Sequence, residues 1–425
     1  VTNENVALED KLGKRVVVTG VGAVTCLALS AEETWQGLLA GRSGLNIATG
    51  FDHDAYSTHV AGQVKGFEPE KYMDRRQARR MARFSQFAIA AAGMALEHAN
   101  LTIDEALMPR TGVLLGNSAG SLPDLEEGIG RILKGRGTRL SPIFIVTVIP
   151  NMAAYQVAQA HNAKGYSATV CTACAAGTQA VGEAAEIIRR GQAEVMLAGG
   201  ADANISETGL AGFAAMRAMS NYDGDEPGKA CRPFNADRDG FVASEGSAVL
   251  VLESLEHALA RGARIYAEVA GHGVTNDAYH VAAPDPSGAG AVRAMEMALE
   301  RAGLDTADID YINAHGPATP LGDVMETTAI KKLFGPRAYN IPLSSTKSML
   351  GHALGAAGAI EALVCVLSLR DNQIHPTINL DDPDPECDLD YVPHTAREVP
   401  VEAVMSNSFG LGGQNAVLVL KRYHA

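Results

Sequence analysis

The chain has 425 residues, 47% of them hydrophobic and only 5% aromatic, with a net charge of −14. That length allows two or three average domains or one large duplicated one, and the composition favours closely packed Ala-, Gly- and Val-rich layers of an α/β protein. The charge argues against general nucleic-acid binding, and no apolar run approaches the length of a membrane span.

In chain order, residues 15–22 read as an apolar strand ending in a Gly-rich turn, with helical patterns at 31–41, 76–99 and 123–134. Strands are expected at Arg110–Gly116 and Gly165–Thr172, the second feeding a helix from Cys174 to about Arg190. Further strands follow at Glu194–Ala198 and Ala248–Leu252, then a connecting helix from Ser254 to Arg261. The remainder repeats strand, helix and strand, then a helix from about His352 to Arg370 and a strand at Ala416–Leu420. Such alternation, with buried β-branched strands, predicts layered α/β architecture with mixed sheets. Gly20-Val21-Gly22 lacks the third glycine of a dinucleotide fingerprint, and the glycines are expected to permit close strand–helix packing.

Internal repetition is the strongest signal. Val18–Thr25 resembles Val269–Thr275, and Met94–Leu101 resembles Met297–Leu304, at offsets of 251 and 203. A third offset, 178, aligns Cys174 with His352, Gly177 with Gly355 and Glu183 with Glu361. The shrinking offset places extra stretches in the first half, before and after Met94. We divide the chain into halves at 1–258 and 259–425.

Six cysteines (26, 171, 174, 231, 365 and 387) form no framework, which suits a reducing compartment. The N-terminus, with Asn3, Glu4, Asn5, Glu9 and Asp10, is polar and has no secretory pattern, so a cytoplasmic location is expected. Cys171-Thr172-Ala173-Cys174 lacks the second ligand pair of a structural zinc site. Cys171 reads as a packed strand residue, whereas Cys174 opens a helix, where dipole and free N–H groups favour a nucleophilic thiolate. Arg75, Arg76, Arg79, Arg80 and Arg83 fall within nine residues, four of them along one expected helical face. That pattern suits either a solvated, salt-bridged face or a landing site for an acidic partner.

Four motifs recur in order: T-A-C-A-A-G at Thr172–Gly177, N-A-H-G-x-x-T-P-x-G-D at Asn313–Asp323, S-S-T-K-S-x-x-G-H at Ser344–His352, and N-S-F-G-x-G-G-x-N at Asn407–Asn415. By these the chain resembles elongating, bacterial type II β-ketoacyl-acyl-carrier-protein synthases, from about Arg15 to Lys421. The resemblance implies the thiolase fold, two pseudo-symmetric halves in a five-layered α-β-α-β-α core. It implies a homodimer and a decarboxylative condensation of an acyl group on Cys174 with malonyl-acyl carrier protein. His315 and His352 complete the implied catalytic set with Lys347, and Glu361 and Asp323 support it. No cofactor is expected, because substrates ride on the carrier's phosphopantetheine arm. Backbone N–H groups of Cys174 and Leu411 would hold the thioester oxygen, and Phe409 and Leu411 would gate the site. Thr319, Gly412 and Ala119 are expected around the substrate. The arginine run, with Arg217, falls where such enzymes meet acyl carrier protein. Two departures stand out. Pro317 occupies a position usually held by Thr, removing a donor and a hydroxyl. Leu411 replaces a typical Phe, and with Ala119 it predicts a roomier pocket for long or branched chains. A polyketide ketosynthase shares the same active-site set. A noncatalytic chain-length subunit would lack the cysteine.

Overall fold

Strand β1 (Val16–Thr25) is buried on both faces along its whole length, as its valine-rich sequence demands. The structure, a computed structural model, describes residues 13–50, 56 and 58–424; the polar run Asn3–Asp10 lies outside them. Helix α1 (Arg83–His98) packs on β1. The chain continues through β2 (Thr111–Gly116), α2 (Met152–Ala160), β3 (Ser167–Val170), α3 (Ala176–Arg189), β4 (Val195–Asp202) and β5 (Gly246–Ser254). The second half repeats the series as β6 (Ala267–Asn276), α4 (Ala289–Ala302), β7 (Tyr311–Asn313), α5 (Pro320–Phe334), β8 (Leu343–Ser344), α6 (Ala357–Asp371), β9 (Ala403–Gly410) and β10 (Gln414–Lys421).

The sheet records the duplication directly. Its ten-strand order is β8-β7-β9-β10-β6-β1-β5-β4-β2-β3. Outward from the centre, each half runs antiparallel, antiparallel, parallel, parallel. The halves join through β1 and β6 at Val17↔Glu268 and Val18↔Ala267. Helices α3 and α6 lie between the two half-sheets, α1 and α2 cover one outer face, and α4 and α5 cover the other. These are the five layers of the expected architecture.

Two of the sequence offsets are physical equivalences. A Cβ at Gly20 or Gly22 would strike the carbonyls of Ala95 and Ala91, and one at Gly271 or Gly273 would strike those of Ala298 and Ala294. Gly20 and Gly22 therefore sit inside β1 rather than in a turn, and bring helix to strand at bare backbone distance. The third offset is corrected. Both inner helices follow a 3₁₀ turn, Ala173–Ala175 and Leu354–Ala356. The first residues of those turns have φ of +49° and +48°. A Cβ on Gly177 would meet Ala359 N at 2.6 Å, and one on Gly358 would meet Thr178 N at 2.8 Å. The true offset is thus 181, which pairs Cys174 with Gly355 and Cys171 with His352. The matching of small residues in the sequence slipped by three.

The expected helix 76–99 is two elements. Asp74 caps a short helix at Arg75–Ala78 by accepting from Arg76 N at 2.8 Å and Gln77 N at 3.3 Å. The chain is extended at Ala82 before α1 begins. Arg83 leaves the arginine set altogether: its guanidinium binds the Glu245 carboxylate at 2.9–3.1 Å and Val64 O at 2.8 Å. Cys171, expected inside a strand, lies just beyond β3 and is exposed.

Candidate active site

Cys174 is buried in the turn ahead of α3, where positive φ at Ala173 bends the chain sharply. Its own N–H and that of Leu411 both reach the sulfur. Burial nevertheless pushes the thiol up to about 11, against those donors and the nearby Lys347. Cys174 is therefore a thiol, where the sequence suggested a stabilised thiolate; desolvation outweighs the helix end.

His315 follows β7 on a loop gripped from below. The buried Glu326 carboxylate accepts from His315 N at 2.9 Å, Gly316 N at 2.8 Å and Asn407 Nδ2 at 3.2 Å. Asp323, also buried, accepts from Phe234 N at 2.8 Å and Ala318 N at 3.2 Å, with Arg238 Nε at 3.3 Å. Thr319 caps α5 by accepting from Gly322 N at 3.2 Å. His352 is pinned by its backbone, donating to Val242 O at 2.7 Å and accepting from Ser244 N at 3.0 Å. The two imidazoles meet edge to face with centroids 5.4 Å apart, and Phe241 and Phe409 frame them.

Lys347 is buried behind this pair. Its ammonium donates to His315 O at 2.7 Å, lies 3.4 Å from His315 Nδ1 and pairs with Glu361 on α6. An ammonium has no acceptor, so Nδ1 of His315 must accept, leaving its proton on Nε2. Burial lowers both imidazoles well below the usual histidine value, with Lys347 pushing the same way. Both are neutral at pH 7. Neither ring nitrogen of His352 has a protein partner. Burial raises Glu361 to about 7, the Lys347 charge opposing.

A cavity of about 420 Å³ collects Cys174, His315, His352, Thr319, Pro317, Phe409 and Leu411 on its wall. Lys347, Glu361 and Asp323 stand behind that wall. Gly412 does not line it, and Ala119 is exposed on the protein surface rather than in the cavity. Its neighbours Asn117, Gly120 and Ser121 are buried, so Ala119 alone of these faces outward. Arg217 lies at the cavity mouth. Arg75, Arg76, Arg79 and Arg80 are exposed, and Arg79 and Arg80 line a separate polar groove with Asp124 and Glu127.

Sequence reasoning missed a third insertion, residues 203–245 between β4 and β5, where the second half has only the bend Leu411–Gly413. It supplies Phe213, Met216 and Phe241 to the cavity, and the 277–285 segment adds His280. The signal was present: the third offset should have continued beyond α3.

A sequence profile for the β-ketoacyl synthase N-terminal domain matches residues 13–258, and that for the C-terminal domain matches 266–381. A 3-oxoacyl-[acyl-carrier-protein] synthase 2 from Staphylococcus aureus is 47% identical over 97% of this chain and 99% of its own. One of the same name from Synechocystis is 47% identical over 96% and 98%. The crystal structure of a β-ketoacyl synthase from Burkholderia phymatum superposes with TM-score 0.89 at 40% identity, covering 97% of this chain and all of that one. A type II polyketide ketosynthase complexed with its acyl-carrier protein gives 0.88 at 35%, over the same shares. With its fold, its duplicated halves and its cavity-facing cysteine and histidines in agreement, the chain belongs to the β-ketoacyl synthase family.

Proposed function

We propose that this chain elongates fatty acyl groups held on acyl carrier protein by decarboxylative condensation. The carrying observation is the convergence of the Cys174 sulfur, the Leu411 N–H and two neutral, cavity-facing imidazoles. Cys174 attacks the acyl thioester, its proton passing to the departing carrier thiolate, and an acyl-enzyme forms. The Cys174 and Leu411 N–H groups hold the carbonyl oxygen as it gains charge. Malonyl-carrier then enters, and its carboxylate leaves as carbon dioxide. The electron pair resides on the thioester enolate, whose oxygen accepts from His315 Nε2 and His352. The enolate carbon attacks the acyl-enzyme and expels the Cys174 thiolate. Lys347 fixes the His315 tautomer, and Glu361 balances its charge. Asp323 holds the loop of Thr319 and Pro317. No cofactor takes part in these steps.

Exposed Arg75, Arg76, Arg79 and Arg80, with Arg217 at the mouth, are our candidates for carrier docking. A homodimer would cover the edge strand β3 and the apolar side chains of Ile129, Ile132 and Leu133, the last 81% exposed. Ala119 would then meet substrate only in that assembly. We place the boundary of the halves at 258/259. Among the described residues no helix is long and apolar enough to cross a membrane, and we assign the enzyme to the cytoplasm. Pro317 and Leu411 on the cavity wall favour a second reading, a polyketide-type ketosynthase with a dedicated carrier. Mass spectrometry of Cys174 after incubation with mixed fatty and polyketide acyl-carriers tests both. Acylation from the fatty carriers is expected, and an unmodified Cys174 overturns the assignment.

A further inference from the structure

Under the true offset, Gly355 stands in the second half where Cys174 stands in the first. The strand ends facing those two residues are also equivalents, being the last residues of β4 and β9: Asp202 and Gly410. Around Cys174 the facing position is a glycine, whose Cβ would lie 3.2 Å from Cys174 N, so no side chain caps that N–H and it stays directed at the sulfur. Around Gly355 the same place is filled. The Asp202 carboxylate, fully buried, accepts from Gly355 N at 3.1 Å, Ser118 N at 2.9 Å and Asn204 Nδ2 at 2.5 Å. Asn204 in turn accepts from Leu122 N at 2.9 Å. One side chain thus ties the 117–122 segment to the turn that follows His352 and whose Leu354 lines the cavity.

We propose that Asp202 is a positioning residue for condensation: it fills the second half's copy of the N–H hole left open at Cys174, and thereby fixes the His352 turn. The assignment rests on the function proposed above. Burial raises the Asp202 carboxyl to about 6, its hydrogen-bond donors opposing. Without it the main-chain N–H groups of buried Gly355 and half-buried Ser118 lose their partner. Its charge also acts on the Cys174 sulfur, disfavouring the thiolate. Asp202 therefore touches both halves of the chemistry without lining the cavity.

The test uses the full chain carrying Asp202→Asn, Asp202→Ala or Asp202→Glu, each assayed separately for acyl loading of Cys174 and for condensation with malonyl-carrier. Asp202→Ala is expected to lower the condensation kcat by about 10²-fold through misplacement of His352, while loading does not fall and Asp202→Glu recovers part of the loss. In Asp202→Asn the iodoacetamide profile of Cys174 should move to lower pH, because an anion near the sulfur is gone. The other charged or titratable groups about it (Lys347, Cys171, Arg217, Asp277, His280, His315 and His352) are unchanged. Loading and condensation falling together, an unmoved alkylation profile, or wild-type condensation in folded Asp202→Ala would each overturn the proposal. Asp202→Asn, which preserves shape, carries the test if Asp202→Ala loses its cooperative thermal transition. Failure of wild-type Cys174 to load at all would instead reject the underlying function.

Discussion

Helices α3 and α6 occupy equivalent places in the two halves, yet their surroundings differ. Along α3, Gln179, Glu183, Glu186 and Arg189 form a partly exposed stripe, and Arg189 pairs with Glu186. Every residue of α6 from Ala357 to Leu369 is buried, and its acid, Glu361, has a buried lysine as partner. The half that reaches solvent carries Cys174, the proposed nucleophile, and one of the two N–H groups at its sulfur, the other being that of Leu411 in the second half. The half that is sealed carries the charges and neutral donors, in a low dielectric where they act most strongly. Duplication supplied one scaffold, and enclosure divided the labour between its copies.

That division can be broken experimentally. The largest effect is expected from Cys174→Ala, which should abolish both acylation and condensation; in the wild type, alkylation should keep accelerating as pH rises toward the thiol value of about 11. A plateau near neutrality would mean that the dipole, not burial, governs α3. Next, Lys347→Ala strands Glu361 in the sealed layer, with a cost of about 3–5 kcal/mol in denaturant unfolding. Glu183→Ala on the open stripe should stay within about 0.5 kcal/mol; equal losses would erase the contrast. Replacing His315 or His352 by Ala should slow condensation by about 10²–10³-fold while sparing acylation of Cys174. Because both imidazole values lie below 6.5, their neutral donor forms persist as pH falls through that point. Malonyl decarboxylation should therefore hold there and fail only at more acidic pH. Smallest is Arg76→Glu with Arg80→Glu, expected to weaken carrier binding by about 1 kcal/mol per contact and flatten its salt dependence. An Arg83 substitution should reduce stability rather than binding, since that side chain is held by Glu245.

Much of this was legible in the residues. The valine-rich strands, the Gly20/Gly271 equivalence and the four motifs identify fold, duplication and the cysteine and histidines that line one cavity, because each depends on local pattern or on side chains that chemistry makes scarce. The 181 offset was not legible: Ala and Gly match one another at several shifts, and only the reciprocal crossing of Gly177 and Gly358 selects one. The helix break at Arg79–Ala82 was hidden because every residue there tolerates a helix, and Asp74 and Glu245 decide the matter from outside the pattern. Cys174 as a thiol and Ala119 as a surface residue reflect burial, which depends on the whole assembly of layers. Asp202 lay beyond the strand expected at Glu194–Ala198 and drew no notice, because its partners lie 84 and 153 residues away.

The crossing of Gly177 over Ala359, with Gly358 over Thr178, also constrains biosynthesis. The face of α3 that receives α6 is packed on it in the finished fold, so it waits bare while the ribosome makes the chain as far as Ala357 and beyond. At roughly 5–20 residues per second, that interval is on the order of ten seconds. Throughout it the nascent first half presents an oily seam, a target for chaperones and a hazard on crowded polysomes.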